Sequence, residues 1–525
     1  MKRISFFIII AQAILLTTCT PPEESTTPNI LFCIADDATY MHFGAYGCDW
    51  VETPAFDKVA QQGILFMNAY TPNAKCAPSR ASILTGRNSW QLEEAGNHWP
   101  YFPDKFKTYA EVLTENGYHV GYTAKGYAPG IVGDIDGKKR ELTGKNYSDI
   151  KLEAPTKHIS NVDYAANFKA FLEDNENGKP FCFWYGSTEP HRRYEFGSGI
   201  ERAGKSIDQV DNVPAFWPDV DTVRTDMLDY AFEIEWFDKH LVNMLQILEE
   251  RGELDNTIVV VTADNGMPFP RAKGQAYEYS NHLPLAVMWK NGIVNPGRIV
   301  EDFVSFIDFA PTFLELSGVN GTENGMQPIT GKSITDILYS EKTGKVNAER
   351  NSVLIGKERH DIGRPNDWGY PIRGIVTEEY IYLHNFETDR WPAGNPETGY
   401  LNTDGSATKT FILNQRRQGD DIRYWQWAFG KRPQEELYRI ADDPECINNL
   451  ANEDAFAEIK NGLKNQLFER LKQEKDPRMF GKGHVFDDYE YADKSGIGFY
   501  EKYMRGEDLN WGWVNDTDFE KQPIE

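Results

Sequence analysis

The chain has 525 residues, with 55 basic against 80 acidic side chains and a formal charge of −25. Hydrophobic residues at 40% and charged residues at 26% exclude a disordered chain and a multi-span membrane protein, and leave enough apolar material for a sizeable core. The acidic balance argues against a nucleic-acid partner, and six cysteines without a CxxC pair exclude a disulfide scaffold and a cysteine-rich zinc site.

Lys2 and Arg3 precede an apolar run from Ile4 to Leu16, followed by Thr17-Thr18-Cys19. A charged start, a short apolar stretch and small residues at the end predict an export signal over 1–18, too short to cross a bilayer as a folded helix. Leu16-Thr17-Thr18-Cys19 resembles a bacterial lipobox, so Cys19 is the expected lipidation site. The Pro-, Glu-, Ser- and Thr-rich stretch 19–27 is then a flexible tether. The expectation is an exported protein held to the bacterial envelope by a lipid anchor, with a soluble periplasmic protein as the alternative.

Asn29 to Ala35 is a continuous apolar run ending in Asp36-Asp37, the pattern of a parallel strand buried on both faces. Phe181 to Tyr185, ending at Glu189-Pro190-His191, and Thr257 to Thr262, ending at Asp264-Asn265, repeat it. Amphipathic stretches separate them, including Tyr109 to Asn116 and a long one from Asp226 to Arg251 with Leu228, Phe232, Ile234 and Leu241 on its apolar side. Strands alternating with helices predict an α/β fold with a large, mostly parallel central sheet flanked by helices, over 28–345. Ligands of such sheets gather at the carboxyl ends of the strands, where these polar residues fall.

Beyond this the texture changes. Short runs at Ser352 to Ile355, Arg373 to Thr377, Tyr380 to Asn385 and Glu436 to Ile440, closed by a helix from Asp454 to Lys472, predict a smaller α+β subdomain with an antiparallel sheet over 346–475. The extension 476–525 is rich in aromatics, Gly and acids and gives no clear periodicity.

The sharpest motif is Cys76-Ala77-Pro78-Ser79-Arg80, continued to Thr85-Gly86-Arg87. On composition alone a lone Cys is usually a buried packing residue. This segment resembles the maturation signature of the formylglycine-dependent type I sulfatases, of the alkaline-phosphatase-like superfamily. The resemblance covers nearly the whole mature chain. It implies that Cys76 is oxidised to formylglycine by a maturation enzyme, and that one hydroxyl of the hydrate attacks sulfur while the other re-forms the aldehyde. Asp36, Asp37, Asp264 and Asn265 are hard oxygen donors of the kind that suits Ca²⁺ or Mg²⁺. Together with Cys76 they match the family's metal site, usually Ca²⁺. The same resemblance gives Arg80 the formylglycine to hold, Lys125 and Lys273 the sulfate charge to offset, and His191 the proton for the leaving group.

One position departs from the pattern. Sulfatases commonly carry a His two residues after the lysine, whereas Tyr127 stands here, and an unperturbed phenol titrating near ~10 is a poor base at neutral pH. Within the family, Leu31 to Asp37, Glu189-Pro190-His191-Arg192, Asp264 to Pro270, Tyr370 to Arg373 and Glu436 to Glu445 resemble the sulfamidase (N-sulfoglucosamine sulfohydrolase) branch. That branch has bacterial relatives acting on algal polysaccharides, so the branch does not fix the sugar. Glu358, Arg359, His360 and Arg364 read either as a loop reaching the pocket mouth or as a solvated charged loop.

The resulting expectation is a sulfatase for sulfated oligo- or polysaccharides, algal such as ulvan or glycosaminoglycan. The alternatives are an N-sulfoglucosamine sulfohydrolase, a phosphate or phosphonate ester hydrolase, and a glycan-binding lipoprotein without turnover. Arg80, Lys125, His191, Arg192 and Lys273 are expected to converge with the cation in a cleft, so that a locally basic site works within an acidic surface.

Overall fold

The computed structural model describes residues 27–135, 137–319, 324–509, 511–522 and 524. The expected signal, Cys19 and all of the tether but Thr27 lie outside the described residues.

The eight strands of the central sheet are β1 (Asn29–Ala35), β2 (Ile64–Tyr70), β3 (His119–Ala124), β4 (Lys145–Asn146), β5 (Phe181–Gly186), β6 (Thr257–Ala263), β7 (Leu285–Met288) and β8 (Arg298–Ser305). Their order across the sheet is β8-β2-β7-β6-β1-β5-β3-β4, and only β7 runs against its neighbours. The continuous apolar runs are explained by burial on both faces. Leu31, Cys33 and Ala35 pack on one side with Phe183, Tyr185, Val259 and Val261. Ile30, Phe32 and Ile34 pack on the other with Trp184, Ile258, Val260, Phe309 and Phe313.

Three helices matter for the site: α1 (Pro54–Gln61), α2 (Cys76–Thr85) and α3 (Asp221–Arg251). Helix α3 starts five residues before the periodicity predicts, lays Leu228, Ile234 and Leu241 on the sheet, and stops at Gly252, whose φ of 70° is a left-handed cap. Its Asp238 accepts from the Ala55 and Phe56 amides at 2.8 Å, satisfying the open donors at the start of α1.

A separate meander of β9 (Ser352–Lys357), β10 (Ile372–Thr377), β11 (Tyr380–Asn385) and β12 (Glu435–Arg439) is antiparallel throughout. Helix α4 (Ala407–Gln418), capped by the Ser406 hydroxyl, lies in the connection between β11 and β12, and α5 (Ala457–Gln473) follows the meander. The sequence reading missed α4, whose polar, Arg-rich stretch carries little apolar periodicity.

The extension is tied down by buried charge. Asp476 and Arg373, both wholly buried, pair at 2.7 Å, and Glu358 bridges Arg373 and Arg478 at 2.6 Å each. Lys409 of α4 pairs with buried Asp518 at 3.1 Å. The loop containing Glu358 is therefore not solvated; it reaches the pocket through Asp361, while Glu358, Arg359, His360 and Arg364 themselves do not line it. Arg359 donates to the Tyr489 carbonyl, His360 Nε2 contacts Asn73 Oδ1 at 2.6 Å, and Arg364 donates to the Trp391 and Pro392 carbonyls. Charges that read as exposed are buried because distant segments supply their partners, the tail for Glu358 and Arg359 and residues 73, 391 and 392 for His360 and Arg364.

Removing one member of a buried pair leaves the other uncompensated, at a cost of about 3–5 kcal/mol. Asp476→Ala should lower the denaturant midpoint accordingly, whereas Glu458→Ala on the exposed face of α5 should change stability by less than ~0.5 kcal/mol.

Candidate active site

The site follows from the pairing of β1 with β6. Their register runs in parallel from Asn29 opposite Thr257 to Ala35 opposite Ala263, so Asp36-Asp37 and Asp264-Asn265 leave the sheet side by side. The Asp264 amide donates to the Ala35 carbonyl at 3.1 Å, and the Asp37 amide to Asp264 Oδ1 at 3.1 Å. Asp37 holds a φ of 77°, a left-handed conformation that costs a non-glycine residue energy and marks a constrained position.

Helix α2 delivers Cys76 in its first turn, with Lys75 as N-cap. Each residue of the motif has a local task. Pro78 sits in the first turn, where no intrahelical N–H is needed. Ser79 donates to the Asp264 carbonyl at 2.6 Å, fixing α2 to the end of β6. Arg80 donates from Nε to Asp264 Oδ2 at 2.8 Å and from Nη1 to the Lys125 and Gly126 carbonyls at 2.7 and 2.9 Å. Gly86 ends the helix at φ 68°, and a Cβ there would lie 2.9 Å from Ile329 Cγ2.

Cys76 Sγ lies 3.5 Å from Asp36 Oδ1. Asp36, Asp37, Cys76 and Asp264 each offer a ligand atom, all within 4.8 Å of one another and all buried. Such a cluster of acids needs positive charge. Lys125 meets Asp36 at 2.5 Å; Lys273 meets Asp37 at 2.6 Å and Asp404 at 2.7 Å. Burial alone would raise the Asp36 carboxyl, but Lys125 and His191 override it and hold it at about 2. For Lys273 burial favours the neutral amine, and Asp37 with Asp404 reverses that, pushing it well above the ordinary lysine value. Burial drives the Cys76 thiol well above its ordinary value despite Lys125, so an unmodified thiol here stays protonated and weakly nucleophilic.

His191 donates from Nδ1 to the Arg192 carbonyl at 2.6 Å, which turns Nε2 toward the Lys273 ammonium at 3.0 Å. The sequence-expected residues Asp36, Asp37, Cys76, Arg80, Lys125, His191, Asp264, Asn265 and Lys273 thus meet in one place. Arg192 does not join them: it is locked on Asp226 at 2.7 Å and over the Phe269 ring, a structural post beside the site. Tyr127 turns away as well. Its ring packs edge-on against Phe102 at 4.9 Å, its hydroxyl is buried without a partner, and burial raises its pKa far beyond that of a base.

These groups open on a cavity of about 250 Å³, lined also by Lys75, His98, Trp99, Asp361, Asp404 and Trp513. The sequence reading missed these six. No motif marks Asp404 or Lys75 in the sequence, and only the fold buries them at the site.

A family model described as N-sulphoglucosamine sulphohydrolase, C-terminal, matches residues 272–392. Human N-sulphoglucosamine sulphohydrolase is 27% identical over 481 residues, covering 84% of this chain and 89% of its own length. An ulvan-active sulfatase of Formosa agariphila is 26% identical over 459 residues, covering 86% of this chain and 81% of its own. Among solved structures, one in complex with its substrate D-glucosamine-2-N,6-O-disulfate superposes with a TM-score of 0.60 at 21% identity, over 86% of this chain and 98% of that one, a likeness of fold. The model described as Sulfatase matches residues 28–319, more than half of the chain, and the protein therefore belongs to the sulfatase family and is a sulfuric ester hydrolase.

Proposed function

We propose that the protein removes sulfate from saccharides derived from sulfated polysaccharides, of glycosaminoglycan or ulvan type, outside the cytoplasm. On this reading Cys76 is matured to formylglycine by a dedicated enzyme. A divalent cation, Ca²⁺ before Mg²⁺, is held by Asp36, Asp37, Asp264, Asn265 and residue 76, and Cys19 carries a lipid anchor. The observation that carries the reading is the meeting of residue 76, Lys125, His191 and Lys273 over a buried carboxylate cluster at the floor of one small cavity.

The residues fit both absent groups. Asn265 Oδ1 is buried without a hydrogen-bond partner, and with three neighbouring carboxylates it makes the hard oxygen set that suits Ca²⁺. Arg80 Nη2 is also buried without a hydrogen bond, a free donor for an oxygen that a thiol does not carry. When present, the cation and formylglycine supply charge withdrawal and a hydroxyl nucleophile.

The chain's own groups do the rest. Lys125 and Lys273, held near the floor by Asp36, Asp37 and Asp404, face the charge of the sulfate. His191, its ring fixed through Nδ1, keeps Nε2 on the pocket side, where a proton can pass to a departing sugar oxygen or nitrogen. Tyr127 takes no part in proton transfer, so the proton handling that a histidine performs elsewhere in the family falls to groups lining the cavity.

Peptide mass spectrometry of protein matured in an export-competent host should find formylglycine at position 76, and Cys76→Ala should abolish turnover without lowering Tm. Fully active protein with only unmodified Cys76 would overturn the mechanism. Exhaustive chelation should remove both activity and bound metal by elemental analysis, with Ca²⁺ restoring activity to the wild type but not to Asp264→Ala; full activity of metal-free protein would refute the metal site. His191→Ala should slow release from sugars by ~10²–10⁴-fold and from 4-nitrophenyl sulfate far less, because nitrophenolate leaves without a proton. Equal slowing of both would make His191 a sulfate ligand instead.

A further inference from the structure

The cavity has a second polar wall that the sulfate chemistry leaves unused. Lys75, directly before the nucleophile position, is buried and forms an ion pair with Asp361 Oδ2 at 2.8 Å. Asp361 Oδ1 accepts from His98 Nδ1 at 2.8 Å. All three line the cavity, and all three are more than nine-tenths buried. Trp99 and Trp513 line it too, half-buried, one from each end of the chain. Trp513 is pinned by its Nε1 donating to the Leu401 carbonyl at 2.9 Å and by its carbonyl accepting from Gly405, next to Asp404, at 2.7 Å. Trp99 adopts a φ of 52° and its carbonyl accepts from Ala492 at 2.8 Å. The Trp99 ring also packs against Tyr491 at 6.4 Å and the Trp513 ring edge-on against Trp511 at 4.8 Å, so both indoles rest on side chains of the 476–525 segment.

We propose that Lys75, Asp361 and His98 form the subsite that reads the sugar bearing the sulfate, and that it selects a neutral ring with hydroxyls beside the sulfate over a ring carrying a carboxylate. This rests on the sulfatase reading above and specifies its substrate class. The size of the cavity favours one ring, since about 250 Å³ lies below the ~300–1,000 Å³ range of drug-sized sites. The two indoles suit the apolar C–H face of such a ring.

The charge argument decides between neutral and acidic sugars. Among the described residues, every lysine lining the cavity already faces a carboxylate: Lys125 faces Asp36, Lys273 faces Asp37 and Asp404, and Lys75 faces Asp361. A cation at the floor would take up the Asp36 and Asp37 charge, freeing Lys125 for the sulfate and leaving Lys273 opposite Asp404 alone. Lys75 stays compensated, because Asp361 lies outside the carboxylate cluster. Burial, against the pull of Asp361, also lowers His98 to about 4, so its ring is neutral at working pH. With Nδ1–H given to Asp361, Nε2 has no protein partner among the described residues and is an acceptor for a hydroxyl. A carboxylate placed there would be desolvated beside Asp361 with no free cation to meet it. Hydroxyls can donate to His98 and accept from Lys75.

The test uses matured, Ca²⁺-loaded protein and matched methyl glycosides: a monosulfated hexose, the hexuronic acid sulfated at the same carbon, and the hexose lacking the hydroxyl next to the sulfate. The kcat/KM of the hexose should exceed that of each analogue by at least tenfold. Calorimetry on Cys76→Ala should give the same order in Kd. Asp361→Asn should lower kcat/KM for the hexose at least tenfold more than for 4-nitrophenyl sulfate. Because the substrate series uses the wild type, a misfolded variant does not remove the test. Equal or better turnover of the hexuronic acid, or equal loss on both substrate types in Asp361→Asn, would overturn the subsite while leaving the sulfatase reading intact. No release from any ester, including the aryl sulfate, by protein with verified formylglycine would overturn both.

Discussion

The parallel registration of β1 against β6 is the constraint on which the site depends. Backbone hydrogen bonding brings the ends of two buried strands level, and each end carries two polar residues. Three carboxylates then lie within a few ångströms of one another, out of water, a state that survives only if positive charge is supplied. Much of the surrounding architecture supplies it. Arg80 reaches Asp264 from α2, Lys125 reaches Asp36 from the end of β3, and Lys273 reaches Asp37 from the loop after β6. The helix that carries residue 76 is anchored to the same strand end through Ser79 and Arg80, so charge compensation and the positioning of residue 76 are one arrangement.

That arrangement reconciles a polyanionic substrate with an acidic protein. The overall charge of −25 is spread over the whole chain, whereas Lys75, Lys125 and Lys273 are gathered at one cavity. Within a low-dielectric pocket, nearby charges and a bound cation outweigh a distant, water-screened surface. The acidic exterior also disfavours a long polyanion lying across it, in keeping with a cavity sized for a single ring.

The C-terminal chain has a larger part than its irregular sequence suggests. It carries Asp476 and Arg478 into the buried network around Arg373 and Glu358, Asp518 to Lys409, and Trp513 to the cavity wall. The turn at Asp404 is tied to it through Gly405, and Asp404 in turn holds Lys273. The wall carrying Asp404 and Trp513 is therefore assembled from segments that close the fold, while the carboxylate floor belongs to the central sheet.

The sequence by itself determined the floor. Strands buried on both faces show as unbroken apolar runs, their ends show as the polar residues that stop them, and the 76–80 segment is one contiguous motif; all of this is local information. The wall was decided by tertiary structure. Lys75, His98, Asp361 and Asp404 are charged or polar residues that no motif singles out, and they become site residues because non-local packing buries them around one cavity. The same cause took Glu358, Arg359, His360 and Arg364 into the interior: Arg478 and the Tyr489 carbonyl reach the first two from the tail, and Asn73 with the Trp391 and Pro392 carbonyls meets the other two, while Asp361 of the same loop reaches the cavity. Tyr127 makes the point in reverse. Its place two residues after Lys125, where the family commonly has a His, left its role open, because the direction of one side chain, set by packing against Phe102, is not written in the spacing of residues.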